Sequence, residues 1–393
     1  MRGFSDLLAA ELEALAVTDR RRSCPELAGL SRARPWLATP GGDGAMALLS
    51  FASNDYLGLA AHPALAAAAA EVAARDGFGA SASRLVTGDL PAHRTLEAGL
   101  ASFVGLPSAL LFPSGYQTNL GVLCALAGPD DLIVSDALNH ASIIDGCRLT
   151  RARVAVYPHL DAATARRQLA EGGAARRRLL VTESLFSMDG DVAPLAELAR
   201  AAADTDAILV VDEAHALGVL GPGGRGLAAA AGVVPDVLVG TLGKAFGAGG
   251  GFAAGVAPLR DLLVNRARTF IFTTAIPPPV AAAAAAALAI VAGPEGERRR
   301  TILDGHRRVL GAGLVARGLR AEAAPGPIAS VVLGTEARAL TVAAALRDRG
   351  LWVPAIRPPT VPPGTARLRI TLSAEHEGED VAALADALAE AVA

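Results

Sequence analysis

Residues 208–218 read Ile-Leu-Val-Val-Asp-Glu-Ala-His-Ala-Leu-Gly, so four apolar residues run into Asp212. Stretches rich in alanine, leucine, arginine and glutamate separate several runs of this kind. Strands that are apolar on both faces and alternate with helices are typical of a parallel sheet covered by helices on both sides. We therefore predict an α/β fold with a mostly parallel central sheet. The other short apolar runs lie at 132–136, 154–157, 179–183 and 237–241.

The ends of these runs indicate where a functional site lies. In open α/β sheets, ligands bind in the crevice at the carboxyl ends of the strands. Four of the runs end in a side chain that can act on a ligand, namely Asp136, Glu183, Asp212 and Thr241. Their shared position predicts a site at this edge of the sheet.

The chain changes character after the prolines at 277–279 and the alanine-rich helix that follows them. From about Gly293, an arginine- and glutamate-rich helix leads to apolar runs at 328–333 and 351–356, a proline loop and a terminal helix. This order is typical of a small α+β domain. The predicted domains are a helical arm at 1–50, a large α/β domain at 51–290 and a smaller α+β domain at 291–393.

Composition excludes several classes of protein. The 393 residues carry 36 basic and 39 acidic side chains, a net charge of −3, which argues against a nucleic-acid binder. Cys24, Cys124 and Cys147 form neither a disulfide framework nor a zinc motif, so we expect a reducing cytoplasm and no metal. The longest apolar run, 280–292, is too short to span a bilayer.

Lys244 lies in the glycine-rich segment 240–247 and has two interpretations. A phosphate-binding loop requires four residues between its first glycine and the Gly-Lys pair, and then a serine or threonine. Here only two residues separate Gly240 from the Gly-Lys pair, and Ala245 follows the lysine. The alternative is a lysine that forms a Schiff base with a cofactor, with the glycines giving access and Thr241 contacting the cofactor's phosphate. Most lysines are solvated surface groups, so this segment decides nothing by itself.

Asp212 and His215 belong to an Asp-Glu-Ala-His sequence, which is also the letter pattern of a helicase Walker B box. A nucleotide-binding protein of that type needs an upstream phosphate loop, and the sequence contains none. A strand-end aspartate that caps the next turn is a common arrangement. A carboxylate that keeps a pyridine nitrogen protonated, so that the ring can absorb electrons, is the functional alternative.

Three further segments each have a functional and a structural interpretation. His140 is either a hydrogen-bonded core residue or an imidazole stacked on a cofactor ring. The small residues around Gly115 form either an ordinary helix start or a phosphate seat at the positive end of the helix. Arg367 and Arg369 share one strand face, and they are either solvated or a clamp for a substrate carboxylate.

Taken together and in this order, the segments resemble the α-oxoamine synthase family of pyridoxal 5′-phosphate (PLP) enzymes. The likeness runs from Phe51–Leu59 through Ser83–Gly88 to Thr371. It implies the aspartate aminotransferase fold, known as PLP fold type I, with a mostly parallel central sheet, helices on both faces and a smaller α+β C-terminal domain. It also implies a homodimer with sites at the subunit interface.

The resemblance assigns roles to residues of this sequence. Lys244 would form the Schiff base, Asp212 would pair with the pyridine nitrogen, and His140 would stack on the ring as the third catalytic residue. His215 would contact the ring hydroxyl oxygen, Ser187 the cofactor, and Thr241 with the N–H groups of Gly115 and Tyr116 the phosphate. The substrate residues would be Arg369 for the amino-acid carboxylate, Thr360 for the acyl group, and Asn54, which with Thr241 would serve the neighbouring site. An arginine near the N-terminus would also contact the acyl group; Arg20, Arg21 and Arg22 are the candidates, and Arg20 is favoured.

The implied reaction is the decarboxylative condensation of L-alanine with a pimeloyl thioester, carried by coenzyme A or by acyl carrier protein, as in biotin synthesis. The segment Ala355–Pro362 resembles members that use alanine rather than glycine. Alternatives are another α-oxoamine synthase, such as a glycine C-acyltransferase, and, from another class, the nucleotide-binding protein.

Overall fold

The computed structural model describes residues 3–25, 27–28, 36–38, 45–319 and 325–393. The chain divides into two compact units. The central unit comprises Asn54–Ser187 and Asp191–Ile302, and the terminal unit comprises Met1–Ser53, Met188–Gly190 and Leu303–Ala393. Much of the second half of the predicted arm at 1–50 lies outside the described residues.

The helices are numbered in chain order. They are α1 Phe4–Val17, α2 Pro63–Asp76, α3 Pro91–Val104, α4 Gly115–Leu126, α5 Ala141–Thr150, α6 Ala162–Ala170, α7 Leu195–Asp204, α8 Leu227–Ala230, α9 Ala257–Arg266, α10 Arg268–Ile271, α11 Pro278–Ala292, α12 Pro294–Ala316, α13 Glu336–Asp348 and α14 Gly378–Val392. No single helix in the described residues is long and apolar enough to cross a membrane; α11 and α12 together satisfy that composition test, across a bend of 72°.

The strands are numbered in the same way. They are β1 Leu27–Ala28, β2 Trp36–Ala38, β3 Ala45–Ala47, β4 Leu49–Ser50, β5 Ser108–Phe112, β6 Leu132–Asp136, β7 Arg153–Tyr157, β8 Arg178–Glu183, β9 Ile208–Asp212, β10 Val237–Thr241, β11 Gly251–Gly255, β12 Ile328–Gly334, β13 Leu351–Trp352, β14 Ala355–Ile356 and β15 Ala366–Thr371.

The central unit is built on a seven-stranded sheet in the order β5-β11-β10-β9-β8-β6-β7. The pairs from β10 to β7 are parallel, whereas β11 runs antiparallel to both of its neighbours. The predicted mostly parallel sheet is therefore confirmed.

Both faces of this sheet are buried, which explains the continuous apolar runs. Val210 of β9 packs in a cluster with residues of α4 and α9, while Leu209 and Val211 pack on the opposite face against α6 and α7. Neighbouring residues of a strand point to opposite faces, so every position of β9 needs an apolar side chain until the strand reaches Asp212.

Two strands of the sheet, β5 and β11, carry a weaker sequence signal. β11 consists of Gly-Phe-Ala-Ala-Gly and lacks the β-branched residues that are typical of strands. Packing explains this composition, because a Cβ atom on Gly251 would lie 2.5 Å from Thr118 Oγ1 and 2.6 Å from Gly115 N. The start of α4 thus packs directly on the backbone of β11, where only glycine fits.

The terminal unit contains the three-stranded sheet β12-β15-β14, which is antiparallel. Helix α13 packs on β15 and against α14. Strand β4 pairs in parallel with β13, and the ring of Phe51, just after β4, stacks on His376 with centroids 4.3 Å apart. Residues 49–51 are thereby joined to the C-terminal part of the chain.

Candidate active site

A cavity of about 140 Å³ lies in the central unit where β8, β9 and β10 end. Seven of the eight predicted cofactor-binding residues line it, and the exception is Ser187, which is buried in the segment after β8. The full lining is Gly115, Tyr116, Asn119, His140, Ser142, Glu183, Asp212, Ala214, His215, Thr241 and Lys244.

Lys244 begins a chain of hydrogen bonds on one side of the cavity. Its Nζ atom lies 2.6 Å from His215 Nε2, and His215 Nδ1 lies 2.6 Å from the Tyr56 hydroxyl. Tyr56 in turn donates to Asn54 Oδ1 at 3.0 Å. When Lys244 is the donor to Nε2, the ring proton sits on Nδ1 and is donated to Tyr56. The contacts orient the lysine amine, and they connect it to Asn54 through His215 and Tyr56.

Asp212 faces the same cavity from the end of β9 and is 6% exposed. Its Oδ2 accepts from Asn119 Nδ2 at 2.7 Å, and its Oδ1 accepts from the Ala214 backbone N–H at 2.8 Å. Hydrogen bonds donated to a carboxylate stabilise its ionised form. A buried carboxylate of this kind is suited to holding a protonated ring nitrogen.

His140 caps the N-terminus of α5. Its Nδ1 lies 2.8 Å from Ser142 Oγ and accepts from the Ser142 backbone N–H at 3.2 Å. Burial lowers the pKa of His140 and outweighs the nearby Asp212 carboxylate, which acts in the opposite direction. The cavity therefore favours the neutral form of this imidazole.

The start of α4 forms the third wall of the cavity. The Ser114 hydroxyl accepts from Gln117 N–H at 3.2 Å, and the N–H groups of the first helical turn have no acceptor within the helix. A Cβ atom on Gly115 would lie 3.3 Å from Thr241 Cβ, so the glycine lets the Thr241 side chain approach this turn. Helix N-termini of this kind bind phosphate.

Glu183 is a site residue to which the sequence assigned no role. It is 3% exposed and pairs with Asp212 in the β8–β9 register. Burial raises the pKa of Glu183 to about 8, and the Asp212 charge contributes to the increase. Its Oε1 atom is buried and has no hydrogen-bond partner in the described part of the chain.

The residues of the cavity fit PLP. PLP requires an amine for its aldehyde, a carboxylate for its ring nitrogen and a helix N-terminus for its phosphate. All three groups line this one cavity, as Lys244, Asp212 and the start of α4. The Glu183 oxygen without a partner also points to a polar group that this space is built to receive. The nucleotide-binding alternative finds no support, since Asp212 and His215 share this cavity with Lys244 rather than with a phosphate loop.

Sequence reasoning also missed Asn119 and Ser142. Asn119 lies four residues after Gly115, one helical turn further along α4, so both residues project from the same helix face. Ser142 follows His140 by two residues, the spacing at which a capping side chain reaches a backbone N–H. These spacings are the signals that identify both residues once His140 and Gly115 are suspected.

The remaining predicted substrate residues lie in the terminal unit. Arg369 is 6% exposed on β15 opposite Ser330, and neighbouring Arg367 forms an ion pair with Asp189. Thr360 is exposed in the proline loop after β14. Arg20 lies 3.5 Å from Glu336, and its Nε atom is buried without a partner among the described residues.

Known proteins match this chain over nearly its full length. The sequence profile of the family described as aminotransferase class I and II matches residues 47–388. The 8-amino-7-oxononanoate synthase of Anaeromyxobacter dehalogenans (strain 2CP-1 / ATCC BAA-258) is 53% identical over 99% of this chain and 96% of its own. The protein of the same name from Bordetella petrii is 50% identical over 98% and 96% of the two chains.

Solved structures agree with these relatives. A serine palmitoyltransferase variant from S. paucimobilis with a bound PLP–myriocin aldimine superposes with a TM-score of 0.90 at 31% identity, covering 99% of this chain and 98% of its own. The 8-amino-7-oxononanoate synthase of Francisella tularensis gives 0.75 at 28% identity, covering 87% and 97%. Fold and cavity therefore define a PLP-dependent enzyme of fold type I. The chain belongs to the class I and II aminotransferase family and, within it, to the α-oxoamine synthases.

The raised pKa of Glu183 predicts how stability depends on pH. A carboxyl that the fold keeps protonated contributes its full stability at pH values below its ordinary pKa of 4.5. That contribution is lost as the pH rises from there through the folded-state pKa of about 8. Glutamine is neutral throughout, so Glu183→Gln should lose less stability than wild type between pH 5 and pH 9. Urea unfolding of the cofactor-free protein measures this, with the exposed Glu171→Gln as control. A wild-type decline equal to that of the variant would contradict the prediction.

A second polar cluster in the central unit favours a charged side chain, a histidine, whereas the site around Glu183 favours an uncharged one. His159 donates to Asp136 Oδ1 at 2.8 Å and to Asp191 Oδ2 at 2.6 Å, with its ring edge-on to Phe186. Burial alone would lower the pKa of His159, but the two carboxylates outweigh it and raise that pKa to about 10.

We expect His159→Ala to reduce the free energy of unfolding by about 2 kcal/mol at pH 6, because it leaves two carboxylates facing each other in a partly buried site. The charge contribution is complete below pH 6.5 and is lost as pH rises through about 10, so the difference should shrink by pH 10. The double variant His159→Ala/Asp191→Asn removes one of the two charges and should recover part of the loss. An equal loss at both pH values would contradict this.

Proposed function

We propose that the protein condenses L-alanine with a pimeloyl thioester, with loss of carbon dioxide, to form 8-amino-7-oxononanoate and the free thiol carrier. One observation carries the chemistry: the Lys244 amine and the buried Asp212 carboxylate face a single cavity that ends at the start of α4. The choice of substrates is supported by relatives of that name, which are 47–53% identical over nearly the whole chain.

PLP, when bound, supplies an electron sink for the negative charge that develops at the amino-acid Cα. Lys244 would hold the cofactor through its amine, and the free amine at Nζ would accept the Cα proton of the amino acid. His215, 2.6 Å from Nζ, orients that amine. Asp212 would keep the ring nitrogen protonated, because the two hydrogen bonds that Asp212 accepts stabilise its carboxylate form.

The phosphate is assigned to the first turn of α4. Gly115 and Tyr116 supply N–H groups there, and the Thr241 hydroxyl lies beside Gly115. His140 lines the same cavity and is assigned to the face of the cofactor ring. These residues would fix the cofactor's orientation, so that only the bonds at Cα change during the reaction.

For the substrates, we propose that Arg369 binds the alanine carboxylate and that Arg20 and Thr360 serve the acyl group. A cleft of about 690 Å³ in the terminal unit is lined by arginines of the arm, of α13 and of the segment after β14, together with apolar residues of α13 and β13. Arg21, Arg22 and Arg357 belong to this lining, and Arg22 donates to the backbone carbonyls of Arg357 and Pro358. Their positive charge suits an anionic acyl carrier, either coenzyme A or acyl carrier protein.

We also propose a homodimer, with Asn54 and Thr241 placed near the subunit interface, and a cytoplasmic location. Exposed Phe78, Val86 and Phe272 give the central unit the apolar surface that a partner subunit would cover. The three cysteines are unpaired thiols, as expected in a reducing compartment.

Thiol release from pimeloyl-CoA, with L-alanine and glycine supplied in parallel, tests this function. We expect rapid release with alanine and little with glycine, and none from the Lys244→Ala variant. Release with glycine alone would keep the reaction class but reject the proposed product. If no thiol is released with either amino acid, the assay is repeated with pimeloyl-acyl carrier protein. Absence of thiol release from both thioesters would reject pimeloyl as the acyl group.

A further inference from the structure

Two buried side chains, Asn119 and Ser142, link the two groups assigned to the cofactor ring. Starting from Asp212, the contacts run through Asn119 and Ser142 to His140, with heavy-atom distances of 2.7, 2.9 and 2.8 Å. Asn119 and Ser142 are 2% and 1% exposed. Buried polar chains of this kind have few alternative partners, so the direction of each bond can be worked out from donors and acceptors.

Asn119 donates at both of its contacts. The same Nδ2 atom lies 2.7 Å from Asp212 Oδ2 and 2.9 Å from Ser142 Oγ, and an amide nitrogen carries two hydrogens. The flipped amide would place its oxygen against the carboxylate oxygen, where neither atom can donate. The orientation is therefore fixed by Asp212, and Ser142 Oγ must act as an acceptor towards Asn119.

Nδ1 of His140 must then carry no proton. The Ser142 backbone N–H points to this atom at 3.2 Å, and a proton on Nδ1 would oppose it. Ser142 Oγ, which already accepts from Asn119, has its own hydrogen to donate to Nδ1 at 2.8 Å. Both donors leave Nε2 as the position that carries the proton of a neutral ring.

We propose that Asn119 and Ser142 are positioning residues whose one-way hydrogen-bond chain holds Asp212 as a carboxylate and His140 as the neutral tautomer protonated at Nε2. The chain has donors directed outward from Asn119 to both ends, so it stabilises negative charge at one end and an uncharged acceptor at the other. Its catalytic consequence depends on the proposed function, but the protonation states are properties of the protein itself.

The consequence for the reaction is electrostatic. An imidazolium against the face of a cationic ring would repel it and would favour loss of the ring nitrogen's proton. The charged groups that act on His140 are Asp212 and Asp145, which favour its protonation, and Lys244, which opposes it. The two Ser142 donors strengthen the neutral form, so the ring nitrogen would keep its proton and donate it to the Asp212 carboxylate.

Nitrogen-15 NMR of histidine-labelled protein tests the chain without any turnover. The His140 signals are identified by their loss in His140→Gln, and they are followed from pH 5 to 9 in cofactor-free and PLP-loaded protein. We expect Nε2 protonated and Nδ1 bare at pH 7 in both forms. A proton on Nδ1, or on both nitrogens, at pH 7 would overturn the proposal, whatever substrates the enzyme uses.

Variants then separate positioning from folding. Ser142→Ala removes one donor to Nδ1 and should raise the midpoint of the His140 titration by about 0.5–1 pH unit, a shift that corresponds to one ordinary hydrogen bond. Ser142→Thr, which keeps the hydroxyl, should leave the midpoint near its wild-type value. An unchanged midpoint in Ser142→Ala would remove the serine from the chain.

Asn119→Asp keeps the shape of the amide but replaces its donors with a second carboxyl beside Asp212. We expect the loaded variant to lose at least about tenfold in kcat with a smaller change in KM, because the ring nitrogen's partner is disturbed and not substrate binding. Melting temperature checks that the variant is folded. A folded variant with wild-type kcat would exclude the proposed effect on Asp212.

Discussion

Replacing Lys244 with alanine should reduce turnover by about 10⁴-fold or more, because it removes the covalent attachment of the cofactor and the base for the Cα proton, and base catalysis alone contributes about 10²–10⁴. Lys244→Arg is the matched variant: it keeps the positive charge in the cavity but can neither form a Schiff base nor act as the base. Both variants should remain folded and inactive. Wild-type turnover in either one would contradict the role of Lys244.

The composition of the chain makes the covalent part of this prediction easy to measure. Lys244 is the only lysine among the 393 residues, whereas the sequence contains 35 arginines. Borohydride reduction of the loaded wild-type protein should therefore add one cofactor mass per chain at a single site. Lys244→Arg should add none after denaturation. Retention of the cofactor mass by the arginine variant would show attachment elsewhere.

Asp212→Asn should reduce kcat by orders of magnitude while leaving the fold intact, because the amide has the size of the carboxylate but no charge. The ring nitrogen then loses its proton more readily, and each pKa unit lost there weakens the electron sink by about 1.4 kcal/mol. The control is Asp204→Asn, an exposed carboxylate of the same unit that is paired with Arg166. Unfolding curves and cofactor absorbance are measured together with kcat, and wild-type rates in Asp212→Asn would reject its assigned role.

The sequence predicts the central sheet well because its strands are buried on both faces. The five apolar runs correspond to β6–β10, whose limits agree with the sequence to within one residue. The pattern does not predict β11, because its small residues allow the close approach of α4 and do not favour a strand by propensity. A pattern of hydrophobicity reports burial, but it does not report which neighbour a backbone touches.

The site shows a similar division. Residues with distinctive chemistry, such as Lys244 and Asp212, could be identified from their position at strand ends. Asn119 could not, because its role follows from the carboxylate 2.7 Å away that it faces. Glu183 also ends a predicted strand, but its role follows from burial and a neighbouring charge that the sequence does not show. Such supporting residues emerge only when the sheet register brings β8, β9 and the start of α4 together.

The most direct test of the account follows the fate of the alanine carboxyl carbon. The PLP-loaded enzyme is supplied with L-alanine labelled with ¹³C at the carboxylate and with a pimeloyl thioester. Decarboxylative condensation predicts one labelled carbon dioxide for each thiol released, and an unlabelled 8-amino-7-oxononanoate. Label retained in pyruvate, as in simple amino transfer, or thiol release without labelled carbon dioxide, would contradict it.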